Sequence, residues 1–453
     1  MAANGNSQRE SAPSDELPRS SAFASLAYRD YRLLWLGQGS HAFALWMENI
    51  ARPLLVLEMT NNDAAQLGVV IAIRTIPTLL LGLWAGVVAD WFDRKTILVA
   101  TKLSSFLVSA LFALLLIGGV IELWHIYVLM FARGSIQAFD QPARSSMVPS
   151  IVPAHMVTSA MALLSSTQNL MRIIGAAGAG ASVALVGLDG TFVVITALYL
   201  GGIFTATLLR VESHERPTER GGRAMLAGMA EGLRYAGERP EVKGVLTAAL
   251  VHFTFGMVYM QVFAPLFAVE VLDIGQGGLG LMLAFTGAGA LAAALSIARN
   301  PPKRIGLVLA LCVSCLGLGL IAFSASTYLP GDYAIVLSFA LITVVGAFQT
   351  TFMSLSRALL VQVAPNELRG RVLSLISLDR AVMSAGAAAG GFVAAATGVQ
   401  VAQIIFGGIC VAGGLLVLLW TPDLRRFGLT TTAEIQTTPD PPNREPEHAR
   451  TPA

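Results

Sequence analysis

Long apolar runs alternate with short polar breaks along the chain. The runs fall near 33–57, 65–89, 96–120, 124–148, 156–186, 190–210, 244–269, 276–299, 304–326, 333–362, 370–397 and 400–420. Each is about 20 residues or longer, enough for a helix to cross a bilayer. One such run fits a buried core helix, but so many in succession do not. A helix satisfies its own backbone polar groups in lipid. The pattern therefore predicts an all-α polytopic membrane protein with twelve transmembrane helices.

The polar breaks fall into two classes. Those near 58–64, 121–123, 187–189, 270–275, 327–332 and 398–399 contain no Lys or Arg, only acids such as Glu58, Asp63, Glu122, Asp189, Glu270, Asp273 and Asp332. The alternate breaks hold Arg94, Lys95, Arg299, Lys303, Arg369 and Arg371, and the long middle break adds Arg210, Arg216, Arg220, Arg223, Arg234 and Arg239. Basic loops stay on the cytoplasmic side. Both termini and the middle loop are thus expected in the cytoplasm, and the protein in the cytoplasmic (inner) membrane.

Composition agrees. Of 453 residues, 55% are hydrophobic and 13% charged, with mean hydropathy +0.66; a soluble domain has about 25% charged residues. The net charge of +2 and the lack of a basic run outside loops argue against nucleic acid as a partner. The expected layout is a disordered cytoplasmic N-terminus over 1–24, a six-helix bundle over 25–211, a cytoplasmic linker over 212–242, a second six-helix bundle over 243–427 and a disordered tail over 428–453. The first 24 residues lack the apolar core of a signal peptide. Cys312-x-x-Cys315 has the spacing of a redox or metal pair, but no His, Asp or further Cys stands nearby, so a lipid-buried pair is expected. The glycines at 175, 178 and 180 lie in mid-membrane with no following Lys-Ser/Thr and are no phosphate loop. No catalytic constellation emerges, and no cofactor or metal is expected.

The two halves repeat. At an ungapped shift of 212 residues, Pro53 meets Pro265, Glu58 meets Glu270, Gly134-x-x-Gln137 meets Gly346-x-x-Gln349, Pro153 meets Pro365 and Gly178 meets Gly390. Such a repeat predicts two bundles related by a pseudo-twofold along the membrane normal, with a binding cavity between them.

Between the second and third runs stands Gly86-x-x-Ala89-Asp90-x-x-Asp93-Arg94-Lys95. It resembles the helix 2–3 motif of the major facilitator superfamily, with Asp93 where that family usually has Gly and Trp91 where it has Arg. The stretches "YRLLWLGQ" (31–38), "LVLEMTNNDAAQLG" (55–68), "AFDQPARSSMVPSIVP" (138–153) and "NLMRIIGAAGAG" (169–180) are similar to the branch containing the bacterial enterobactin exporter and the macrolide and multidrug efflux proteins. The resemblance covers about 25–425. It implies a secondary active exporter of a siderophore or drug-like small molecule, driven by proton exchange through alternating access. Helices 1, 4, 7 and 10 would line the cavity. Gly86, Asp90, Arg94, Lys95 and Arg144 would form a cytoplasmic gate, with Asp90 latching onto the start of helix 11 near Asn366 to Arg371. An uptake carrier or lipid translocator on the same fold, or a transport-dead membrane sensor, stands as the alternative.

Ionisable groups inside membrane helices face the bundle or a wet cavity. Gln38, His41, Glu48 and Arg52 share one face of helix 1, and Arg133, Gln137, Asp140 and Arg144 one face of helix 4. Helix 5 adds Gln168, Asn169 and Arg172. Gln38, His41, Glu48, Arg52, Arg133, Gln137 and Arg172 are the candidate substrate contacts. Glu48, Asp140 and, on helix 11, Asp379 are the candidate proton carriers, with His41 as another. Two readings stand for the stripes: pairing within a helix, Glu48 with Arg52 and Asp140 with Arg144, or work on substrate and protons. The arginines point to an anionic or hydrogen-bond-rich cargo. Arg74, isolated on helix 2, is structural or gating. The expected functional unit is the monomer in its bilayer.

Overall fold

The computed structural model describes residues 23–91, 93–153, 156–210, 234, 237–300, 302–363, 379–422 and 424. Among them the regular structure is entirely helical. After a short 3-10 turn at Ala24–Ala27 come α1 (Arg29–Met59), α2 (Ala64–Trp91), α3 (Arg94–Ile117) and α4 (Leu123–Ile151). The segment Val157–Thr207 is broken at Gly187, whose φ of 71° and ψ of −177° leave the helical region. Only glycine adopts that conformation freely, so the segment divides into α5 (157–186) and α6 (188–207). α7 (Pro240–Val271) is followed by α8 (Gly275–Arg299), α9 (Ile305–Ser326), α10 (Asp332–Val363), α11 (Asp379–Thr397) and α12 (Val399–Trp420).

Each apolar run thus coincides with helix over its described residues. Among the described residues, seven helical segments are long and apolar enough to cross a membrane, α3, α7, α9 and α12 included. α1 and α4 fall short of that hydropathy because their polar stripes dilute it, which marks them as helices with an interior to face. Large apolar side chains such as Leu114, Leu185, Leu295 and Leu419 stand exposed on the outside, as a lipid-facing surface requires.

The helix starts are set locally. The Asp93 carboxylate accepts from the Thr96 backbone N–H and hydroxyl, each at 2.9 Å, and caps α3. That gives the departure from the family's Gly a physical role. Asp63 accepts from Ala65 N at 2.8 Å and caps α2 in the same way. α7 is unusual: three wide π-helical turns, His252–Gly256, Tyr259–Phe263 and Phe267–Val271, interrupt it around Pro265.

Within the first half α1 packs on α5 and α6, α2 on α4, and α3 on α4 and α6; within the second, α9 packs on α10 and α12, and α8 on α10. Glycines set these crossings. A Cβ on Gly134 would lie 1.8 Å from the Arg74 carbonyl oxygen, and one on Gly346 would lie 2.0 Å from that of Thr286. These are equivalent positions under the 212-residue shift, so the sequence repeat is also a repeat of helix crossings.

The halves meet through α2 against α11 and α5 against α8. Gly68 approaches the Ala387 and Ala388 carbonyls and Gly391, and Gly180 approaches Gly280. Small residues of α5 and α11 thus lie at the seam between the halves. Both contacts sit near the end of the molecule that carries the 60–63 turn.

Candidate functional site

A cavity of about 350 Å³ lies between the halves. Its wall comes from α1 (Gln38, His41, Trp46, Asn49, Arg52), α2 (Arg74, Thr78), α4 (Arg133, Gln137, Asp140, Arg144) and α5 (Gln168, Arg172); the second half contributes Met257, Met260 and Gln261 of α7 and Met383 of α11. α1, α4 and α7 line it as the resemblance implies. α10 instead offers Gln349 to a smaller adjoining pocket shared with Trp46, Arg172 and Met260.

The charged side chains form three groups. In the first, Glu48 is 1% exposed and serves as the hub. It ion-pairs with Arg52 one turn along α1, accepts from Arg133 Nε at 3.1 Å and accepts from the Tyr199 hydroxyl of α6 at 2.6 Å. The guanidinium of Arg133 also donates to that hydroxyl and lies over the Tyr199 ring. Glu48 stands behind the cavity wall, with Arg52 and Arg133 in front of it. A buried carboxylate with two cations and a phenol has its lone pairs taken, the condition under which such burial is tolerable.

The second group is Asp140 with Lys102 of α3. Lys102 Nζ donates to Asp140 Oδ1 at 2.7 Å, and the Thr101 hydroxyl adds a contact at 3.3 Å. His41 sits edge-on to Tyr199 at 5.0 Å, with its Nδ1 buried and unpartnered. It stands where electrostatics from both groups act on it.

In the third, Arg74 Nη1 donates to Asn49 Oδ1 at 2.6 Å and Nη2 to Gln137 Oε1 at 3.1 Å. Nearby, Gln168, with its amide oxygen turned toward the donors, accepts from Gln38 Nε2 at 3.1 Å and from the Arg144 guanidinium.

Of the candidate substrate contacts, Gln38, His41, Arg52, Arg133, Gln137 and Arg172 line the cavity. At the gate, Arg94 donates to Ser150 Oγ at 3.4 Å, and Arg144 reaches the cavity. The surroundings of Gly86, the side chains of Asp90 and Asp379, the Asn366–Arg371 stretch, and most of the 1–24, 212–242 and 428–453 segments lie outside what is described. Pattern reading missed Lys102, Tyr199, Asn49 and the three methionines. Lys102 carried a signal: it is the single charge of its run, and a lysine inside a membrane needs a partner. Tyr199 carried none, since one tyrosine in an apolar run is ordinary. Among the described residues no group of three or more His, Cys, Asp or Glu could hold a metal.

The sequence model of the transmembrane secretion effector family matches residues 20–446. The chain belongs to this family of major facilitator transporters. It is similar to the staphyloferrin A transporter of Staphylococcus aureus, 28% identical over 78% of this chain and 85% of the relative. It is likewise similar to the multidrug efflux pump Tap of Mycolicibacterium fortuitum, 28% identical over 72% and 80%. A macrolide efflux protein A of Streptococcus pyogenes matches at 22% identity over 55% of this chain and 62% of its own length. In fold, the secretion effector resembles an inward-facing bacterial homologue of the lysosomal transporter Spinster, with a TM-score of 0.68 at 13% identity, over 91% of this chain and all of that one. It also resembles a bacterial homologue of the iron transporter ferroportin, with a TM-score of 0.64 at 16% identity, over 87% and 99%. The protein is therefore a multi-pass transporter of the cell membrane and not an enzyme.

Proposed function

We propose that this secretion effector exports a small anionic molecule, siderophore or drug-like, in exchange for protons, by alternating access and as a monomer. The carrying observation is the cavity itself: a space between the two halves, with Arg52, Arg74, Arg133 and Arg172 on its wall. Close small-residue contacts join the halves near the 60–63 turn, the end that the loop charges place outside the cell. Loosening that seam while closing the opposite end would present the cavity to the other side. A staphyloferrin A transporter among the relatives supports a small organic cargo, and the macrolide and multidrug efflux proteins support export.

Glu48 and Asp140 are the proposed proton carriers. Each holds cations by its negative charge, Arg52 and Arg133 in one case and Lys102 in the other. A proton on either carboxyl frees those cations to rearrange, which couples protonation to conformation. Both termini and the 212–242 linker are placed in the cytoplasm.

The test uses inverted membrane vesicles with a panel of siderophores and antibiotics, with and without an imposed proton gradient. Gradient-dependent accumulation of a cargo is expected, and accumulation that ignores the gradient rejects proton exchange. Asp140→Asn and Glu48→Gln are not both to be silent; wild-type rates in both would reject these two carriers.

A further inference from the structure

Arg74 is a cavity cation whose two hydrogen-bond partners are both neutral. Its two hydrogen bonds go to the amide oxygens of Asn49 and Gln137. A guanidinium has five N–H donors in a flat fork, so three remain while two helices hold the plane in place. No described carboxylate forms an ion pair with it: Glu48 pairs with Arg52 and Arg133 and acts on Arg74 only from a longer distance, and Asp140 pairs with Lys102. A half-buried cation held by neutral amides, with no ion pair of its own, has given up part of its hydration for weak partners, so its presence needs a reason.

Support of the helix crossing is not that reason. The second half builds the same crossing, with Gly346 over the Thr286 carbonyl as Gly134 lies over that of Arg74. At the equivalent positions stand Gln261, Thr286 and Gln349 in place of Asn49, Arg74 and Gln137. The flanking amides recur and the cation does not. The second half lines the same cavity with Met257, Met260 and Met383, flexible, polarisable side chains that fit varied apolar shapes.

We infer that Arg74 is the binding residue for the cargo's anionic group, taking a carboxylate on the unused edge of its fork while the apolar body of the cargo lies on the methionine wall. This rests on the reading above that the cargo is a small anion. The planar match of guanidinium to carboxylate gives two parallel charge-assisted bonds. The ligand class is an organic acid with an apolar face.

The test measures equilibrium binding to the full chain in nanodiscs of zwitterionic lipid, using radiolabelled 2-naphthoate and its neutral isostere 2-naphthamide. Wild type is expected to hold the carboxylate about tenfold tighter or more. Arg74→Gln should abolish that preference while still binding the carboxamide, and Arg74→Lys should keep part of it. A wild-type preference that survives intact in Arg74→Gln overturns the assignment and leaves an anionic cargo standing. A wild type that binds both probes alike, or neither, overturns the anionic reading as well. Should Arg74→Gln lose the carboxamide too, Arg74→Lys is set against Arg74→Met, and an equal preference in those two overturns the assignment.

Discussion

The two halves share one scaffold and differ in what fills it. At the 212-residue shift Glu48 corresponds to Met260, Arg133 to Val345, Tyr199 to Val411, Asp140 to Phe352 and Lys102 to Ser314. Every member of the two buried charge groups in the first half has an uncharged counterpart in the second. The glycine-set crossings recur all the same. Helix packing therefore does not depend on the charges, and the charges are not remnants of a shared folding requirement. The second half instead holds its amides against sulfur: Gln261 donates to Met383 Sδ at 3.1 Å and Gln349 to Met257 Sδ at 2.6 Å. His252 stacks on Phe352 at 4.3 Å with both ring nitrogens unpartnered. The first half carries the buried charge groups, and the second lines the cavity with methionine.

The contrast breaks most sharply at the hub. Glu48→Gln leaves Arg52 and Arg133 buried without their shared carboxylate, and loss of one partner from such a group costs about 3–5 kcal/mol. Its counterpart Met260→Leu is volume-conserving and is expected to cost less than about 1.5 kcal/mol. Thermal unfolding of both variants in the same detergent measures the gap. Equal losses would mean that the charges contribute nothing beyond packing.

Next come the crossings, where the halves are expected to behave alike. Gly134→Ala and Gly346→Ala each drive a methyl into a carbonyl oxygen, so α2 must move off α4, or α8 off α10. Overpacking of this kind costs about 1–3 kcal/mol. Similar losses of thermal stability in both variants would support the repeat as structural, whereas tolerance in one half alone would confine it to sequence.

Much of this was legible in the sequence, and the reason is physical. Membrane helices announce themselves by length, and lipid tolerates no charge without cause, so Glu48, Arg52, Arg133 and Asp140 stood out at once. The choice of partner did not. Spacing along α4 offered Arg144 to Asp140, but the ion pair runs to Lys102 on α3, because a neighbouring helix supplies side chains that periodicity cannot see. Tyr199 and the methionines were invisible for the converse reason: they are ordinary in apolar runs, and only the geometry brings them to the site.

The buried pair offers a third test, one that separates stability from coupling. Lys102→Met with Asp140→Leu removes both charges together, and replacing a buried ion pair by apolar groups is often neutral or stabilising by about 1–4 kcal/mol. This double variant should unfold no earlier than wild type, while Asp140→Asn alone should be less stable. In vesicles its transport should no longer respond to a proton gradient. A double variant that keeps full gradient dependence would leave Glu48 as the carrier and make the first half's second charge group a matter of packing.

The smallest effect on stability is expected at the methionine wall. Replacing Met257, Met260 and Met383 together by Leu conserves volume and should cost less than about 1.5 kcal/mol per site. Gln349 and Gln261 lose their sulfur acceptors, but a thioether is a weak one. What should change is range. Leucine has fewer rotatable bonds and a branched, stiffer end, so the wall can no longer reshape around different apolar bodies. Over a panel of organic acids that differ only in their apolar part, wild type should transport many at comparable rates and the triple variant few, with the preference for anions unchanged. That pattern would place charge recognition in the first half and shape tolerance in the second. A triple variant with unaltered range but weakened preference for anions would reverse the assignment, because the half without charges would then be governing recognition of charge.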